Sequence, residues 1–168
     1  MVIAMNPIKR ISITILAACM LLCCISCSGT TQVHYEMFCT LSIECSSIIA
    51  NIDSFKYEKC EILPLDGVIL PETCVGFSDG ESVYDVLVRE TRNRNIHMES
   101  EYTPIYDSAY IEGIANIYEF DCGSSSGWTY SVNGEFPNYG CSGYILKDGD
   151  VIEWHYSCNY GSDIEENK

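Results

Sequence analysis

Ser78-Asp79-Gly80-Glu81-Ser82-Val83-Tyr84-Asp85-Val86-Leu87-Val88-Arg89-Glu90-Thr91-Arg92 is the stretch with the clearest helical period in the chain. Val83, Val86 and Leu87 stand at i, i+3 and i+4, so a helix gathers them into one apolar stripe. Ser78 or Asp79 can cap the first free N–H groups. Glu81 suits the positive start of the helix, and Arg89, Arg92 and Arg94 suit its negative end. A helix with one apolar stripe needs a surface to cover, and the residues on either side of it read mainly as strands.

Before the helix, Met37 to Glu44 predicts a first strand, and Ser46 to Lys59 has weak helical or loop character. Glu61-Ile62-Leu63 and Val68-Ile69-Leu70 flank Pro64-Leu65-Asp66-Gly67, whose residues suit a reversal, so a hairpin is expected there. After the helix, strands are expected at Ile96 to Glu101, Ile117 to Asp121, Trp128 to Val132 and Val151 to Ser157. In the last of these, Ile152, Trp154 and Tyr156 share one face, with Val151, Glu153 and His155 on the other. Asn133-Gly134 and Asp148-Gly149 mark tight turns. Several strands with one principal helix packed on them make an α+β architecture.

The amino terminus carries a targeting pattern. Lys9-Arg10 precedes an uncharged apolar run from Ile11 to Ile25 that is short for a membrane span, and the polar Ser28-Gly29-Thr30-Thr31-Gln32 follows at once. Residues 1–26 are therefore expected to be a signal peptide. Cysteines crowd its exit, and lipoprotein processing takes a cysteine behind a small residue at the end of the apolar run. By resemblance to bacterial lipoproteins, Ser26-Cys27 places the lipid on Cys27, with Cys19 behind Ala17-Ala18 as the alternative and plain secretion as another. A doubly acylated cysteine gives a stable membrane anchor. Residues 27–36 then form a tether, 37–161 the domain and 162–168 a polar tail, facing the outside of the cell or the periplasm.

The chain of 168 residues holds 24 acidic and 9 basic side chains, a formal charge of −15, and loss of Lys9 and Arg10 with the signal makes the remainder still more acidic. Such a surface repels phosphate backbones and favours neutral or cationic partners, so a nucleic-acid partner is not expected. Beyond the anchor lie Cys39, Cys45, Cys60, Cys74, Cys122, Cys141 and Cys158, none in C-x-x-C spacing. Disulfides, rather than a thiolate metal site, are the expectation for an exported domain.

Gly127-Trp128-Thr129-Tyr130-Ser131-Val132-Asn133-Gly134, then Pro137-Asn138-Tyr139-Gly140-Cys141, then Leu146-Lys147-Asp148-Gly149-Asp150-Val151-Ile152-Glu153-Trp154 resemble a bacterial domain family of unknown function. That family is in turn similar to the C-terminal domain of transcobalamin and intrinsic factor. Leu41 to Cys45, Asp79 to Leu87 and Tyr118 to Gly123 resemble the same family in the same order. The resemblance, over about residues 38–160, implies a β-grasp-like mixed sheet and a surface for a corrinoid or another bulky ligand. The large helical partner domain of transcobalamin is missing, so a lone half-site is expected to bind weakly or with a second protein.

The same resemblance implies parallel first and last strands, which sets Cys45 beside Cys158. The hairpin expected around Asp66-Gly67 sets Cys60 opposite Cys74, and the strand ends set Cys122 near Cys141, leaving Cys39 as a buried thiol.

Gly123-Ser124-Ser125-Ser126-Gly127 matches the G-x-S-x-G string of serine hydrolases, but it runs into a strand where that motif needs a helix. A surface turn is expected, with no catalytic residues. Asp148 and Asp150 lack the spacing of a calcium loop, and no resident metal or cofactor is expected. His97, Glu99 and Glu101 share a strand face and read as solvated. Trp128, Tyr130, Tyr139 and Tyr144 belong to an aromatic-rich last third, and loop rings on a rigid sheet suit a flat ligand or a protein partner. The reading is an extracellular, lipid-anchored binding module, not an enzyme. Cobalamin or a related corrinoid is its candidate ligand and an uptake system its candidate partner. The alternative is an adhesion module that docks a surface protein.

Overall fold

The computed structural model describes residues 34–165. The chain groups into Met1–His34 and Tyr35–Lys168, and the fold below is that of the second unit. The expected signal peptide, Cys27 and most of the expected tether lie outside the described residues. Among those described, no helix is long and apolar enough to cross a membrane.

The first strand, β1 (Met37–Glu44), leads into a short helix α1 (Ser46–Ala50) and two 3-10 turns, Ile52–Ser54 and Tyr57–Ile62. The chain continues through β2 (Val68–Phe77), helix α2 (Val83–Asn93), β3 (Met98–Thr103), β4 (Ser108–Ile114) and the two-residue β5 (Ile117–Tyr118). It closes with β6 (Gly127–Val132), β7 (Val151–Ser157) and a helical turn α3 (Ser162–Glu165). One sheet has the order β2-β1-β7-β6 and the other β3-β4-β5. In the first sheet β1 and β7 run parallel, Thr40 facing Val151 and Glu44 facing His155, while both outer pairs are antiparallel. A parallel central pair of first and last strands is the β-grasp arrangement the resemblance implies, and the fold class is α+β.

Alternation decides which faces are buried. Leu41, Ile43, Ile152, Trp154 and Tyr156 point to the core, and Val83, Val86 and Leu87 of α2 meet it with the stripe read from the sequence. Helix α2 starts later than the sequence suggests. Its cap is Ser82, whose hydroxyl accepts from the Asp85 N–H while the Asp85 carboxylate accepts from the Ser82 N–H. This reciprocal box satisfies two otherwise free donors, which Ser78 and Asp79 do not do here. Asn133 and Gly134 both have positive φ, as the expected two-residue turn requires.

The hairpin expected around Asp66-Gly67 does not form. Residues 57–62 wind into a 3-10 turn, and β2 pairs with β1 instead, from Glu44↔Val68 to Met37↔Phe77. Pro71 fits there because β2 is an edge strand, where a missing N–H costs no ladder bond. Strand β4 has no counterpart in the sequence reading, and the expected strand at Ile117 to Asp121 shortens to two residues as Phe120 turns to positive φ. Ile164 in the expected polar tail is buried.

No two of the seven described cysteines are at bonding distance in this structure. None of the expected bridges is present. Cys45 lies 3.4 Å from the Gly67 carbonyl, Cys141 3.7 Å from that of Ala109 and Cys122 3.6 Å from that of Asn51. Cys60 sits in the 3-10 turn and Cys74 on the outer face of β2, so no hairpin brings them together. Cys39 is a buried thiol, and burial pushes it up to about 12.

Candidate functional site

The two sheets approach each other at β4 and β6, and the loop 137–141 packs against β4 beside them. A hollow of about 430 Å³ opens there, with walls from β4, β6, the loop and the β3–β4 turn. Its aromatic lining comprises Tyr106, Tyr110, Trp128, Tyr130, Tyr139 and Trp154. Of the four ligand candidates in the sequence, Trp128, Tyr130 and Tyr139 line it. Tyr144 is not part of the lining; it stacks on Tyr139 with centroids 6.1 Å apart and planes 12° from parallel.

Each wall is fixed by local bonds. Trp128 Nε1 donates to the Ile117 carbonyl at 2.8 Å, and its ring meets Tyr156 edge-on at 5.3 Å. Tyr130 donates through its hydroxyl to the Tyr139 carbonyl at 2.9 Å, tying the loop to β6. Burial pushes the Tyr130 phenol well up, so it stays a donor at neutral pH. On the opposite side the Ala109 N–H donates to Ser142 Oγ at 2.9 Å, and Ser108 Oγ and Ser142 Oγ lie 2.8 Å apart. Gly140 is packed so closely on β4 that a Cβ there would fall 1.8 Å from Ser108 Oγ. The loop is thus a clamped wall.

Trp154 differs from its neighbours. It is 2% exposed, it lines the hollow, and its Nε1 has no hydrogen-bond partner among the described residues. A buried donor without an acceptor costs about 1–3 kcal/mol relative to a satisfied one. The sequence marks Trp154 as core from its alternation, and nothing in that pattern reveals the free N–H. Tyr110 has no sequence signal because β4 lacks a clear strand pattern, and Tyr106 has none because it sits in the β3–β4 turn.

A second hollow of about 370 Å³ adjoins the first and shares Tyr110, Trp128 and Thr129 with it. Phe120, Tyr160 and the turn Ser124–Gly127 complete its wall. This turn runs into β6, as the sequence indicated. Its bonded serine is Ser126, which donates to the Gly123 carbonyl at 2.8 Å, accepts from the Cys122 N–H and lies 2.8 Å from the Tyr156 hydroxyl.

Elsewhere on the molecule His155 Nδ1 lies 2.7 Å from Glu44 Oε1, and its Nε2 lies 3.5 Å from Ser131 Oγ. Serine, imidazole and carboxylate are therefore in sequence, a set that strand reading missed because Glu44 comes from β1. Ser131 donates instead to Glu153 at 3.0 Å and is fully buried. Burial opposes the charge of Glu44, but hydrogen bonds from His155 and Ser46 outweigh it and hold its carboxyl below the usual range. Asp121 behaves alike: buried, it is held low by Lys56 at 2.9 Å, Lys59 at 2.5 Å and the Tyr118 N–H.

Asp148 and Asp150 serve the backbone, accepting from the Phe38 and Lys147 amides. His97 lies 3.1 Å from Glu99 and 2.9 Å from the Tyr118 hydroxyl on an exposed face. Among the described residues no three His, Cys, Asp or Glu side chains are grouped to hold a metal ion.

Residues 80–158 match the family model described as a domain of unknown function, DUF4430, in agreement with the bacterial domain family the sequence resembles. No curated protein matches the chain. Among solved structures, a candidate metal-binding protein from Ruminococcus gnavus is 18% identical, with a TM-score of 0.43 over 73% of this chain and 97% of that one. Haptocorrin in complex with Cbi is 14% identical, with a TM-score of 0.49 over 80% of this chain and 29% of haptocorrin. This chain thus spans less than a third of haptocorrin.

Proposed function

We propose that the protein is a binding module, anchored by a lipid on Cys27 outside the cytoplasm, that takes a face of a flat ligand into the aromatic-lined hollow between β4 and β6. The six aromatic side chains gathered on one hollow, with the 137–141 loop fixed to β6 and packed on β4 as its wall, carry this reading. Trp128, Tyr130 and Tyr139 supply apolar faces. The acidic surface favours a neutral or cationic ligand.

A corrinoid, handed to an uptake system, is the ligand class proposed. It has a flat macrocycle with amide carbonyls at its rim, and the strings from Gly127 to Trp154 resemble a family similar to corrinoid-carrying domains. A hollow of about 430 Å³ receives a face or an edge of so large a molecule, which leaves the remainder for a second protein to cover.

Both tryptophans of the chain line the hollow, so they report on it directly. Titration with cyanocobalamin and with cobinamide is expected to give saturable changes in tryptophan fluorescence and in the visible band of the corrinoid. Tyr139→Ala should weaken binding by about 2–10-fold, the worth of one aromatic contact. No saturation with either corrinoid would end the corrinoid proposal, and an unchanged affinity in the variant would remove the Tyr139 ring from the site.

Ile105 and Tyr106, 88% and 77% exposed at the β3–β4 turn, favour a second reading in which this turn docks a surface protein. In that case a partner would slow amide exchange in 102–110 and leave Trp154 emission unchanged. The anchor is tested by metabolic labelling with a fatty-acid probe, which Cys27→Ala should abolish.

A further inference from the structure

We infer that Cys122 and Cys158 form a disulfide in the mature protein, clamping the turn after β5 to the turn after β7. The backbone already brings these turns together. Gly127 pairs with Ser157 at the end of the β6–β7 ladder, and the Tyr160 N–H donates to the Ser125 carbonyl at 3.0 Å.

Both thiols then converge on α1. Cys122 Sγ lies 3.6 Å from the Asn51 carbonyl and Cys158 Sγ 3.7 Å from Ser47 Oγ. Ser47 and Asn51 are one helical turn apart and are joined by Asn51 Nδ2 donating to the Ser47 carbonyl at 2.9 Å. Each thiol is close enough to influence the other's ionisation. Cys39 and Cys74, also near each other in the register, are excluded by the pleat: Cys39 faces Val75 inside, and Cys74 faces Thr40 outside.

The step is an exchange that balances. Cys158, the more exposed of the two, attacks a disulfide of an exported thiol-oxidising protein or of oxidised glutathione. Cys122 then displaces that carrier from the mixed disulfide. Two protons and two electrons leave the cysteine pair, and the carrier's disulfide becomes two thiols. Burial pushes both thiols above their ordinary range, so exchange in the folded protein is slow and the bond closes during folding. Once made, it fixes the Ser124–Gly127 and Tyr160 wall of the second hollow.

The test is refolding of the full reduced chain in a glutathione redox buffer, blocking of free thiols with iodoacetamide, and proteolysis without reductant. Supplying glutathione makes the outcome independent of where the protein resides. A Cys122 peptide joined to a Cys158 peptide, two hydrogens lighter than the sum of the two, is expected as the main cross-linked species. Alkylation of both residues in the folded protein, or a main bridge from either to a different cysteine, overturns the inference.

Discussion

A single absent methyl group shapes the hollow. Gly140 lets the 137–141 loop lie against β4, and Gly140→Ala would place a carbon 1.8 Å from Ser108 Oγ, with the Ser108 Cβ at 2.4 Å. Either the serine rotates and loses its contact with Ser142, or the loop lifts. Overpacking of this kind costs about 1–3 kcal/mol, so thermal or denaturant unfolding should show a loss of that order. Ser108→Gly should recover part of it. Two further residues make stability depend on pH. Glu44 and Asp121 have carboxyls lowered in the folded state. A lowered carboxyl contributes stability above its unfolded value, and that contribution disappears as the pH falls through the folded value. Acid titration of the unfolding midpoint should therefore show a decline beginning near the ordinary carboxylate range and continuing below it. A Glu44→Gln variant should show a shallower decline. If the midpoint of the wild type is flat through that range, the ion pairs are not contributing.

Among elements, helix α2 was the most legible, because three signals agree on it: the apolar period, the acidic start and the basic end. Its exact start was not, since Ser78, Asp79 and Ser82 are all good caps by type: the Glu81 carboxylate accepts from the Ser78 N–H as Asp85 does from Ser82, and only the Ser82 hydroxyl also accepts a helix N–H in return. Ser82→Ala should destabilise the protein by about 1 kcal/mol, measured as a shift in the urea midpoint, whereas Ser78→Ala should change it little. Strands β1 and β7 were equally legible from alternation. The 61–70 segment was not, because Ile62-Leu63 and Val68-Ile69-Leu70 around a Pro-Leu-Asp-Gly turn suit a hairpin locally, while β1 offers β2 a longer partner. Strand β4 was hidden by its neighbours: Pro104 and Asp107 suggest a loop, and Gly113 weakens the pattern, yet pairing with β3 and β5 settles its form. The free N–H of Trp154 could not be read at all. Whether a donor is satisfied depends on acceptors supplied from distant segments.

For the whole molecule, the central pair of strands has a consequence in time. Residues 40–44 pair with 151–155, so the middle of the main sheet joins the two ends of the described chain. Such distant contacts must be bought with loop-closure entropy before they return any stabilisation. While the chain is being synthesised, β1 has no partner on its β7 side until residues 151–155 have emerged. Until then β1 is held by β2 alone. The same ordering leaves any chain that stops before Val151 without its central strand, exposing Leu41 and Ile43 to proteases instead of to Ile152 and Trp154.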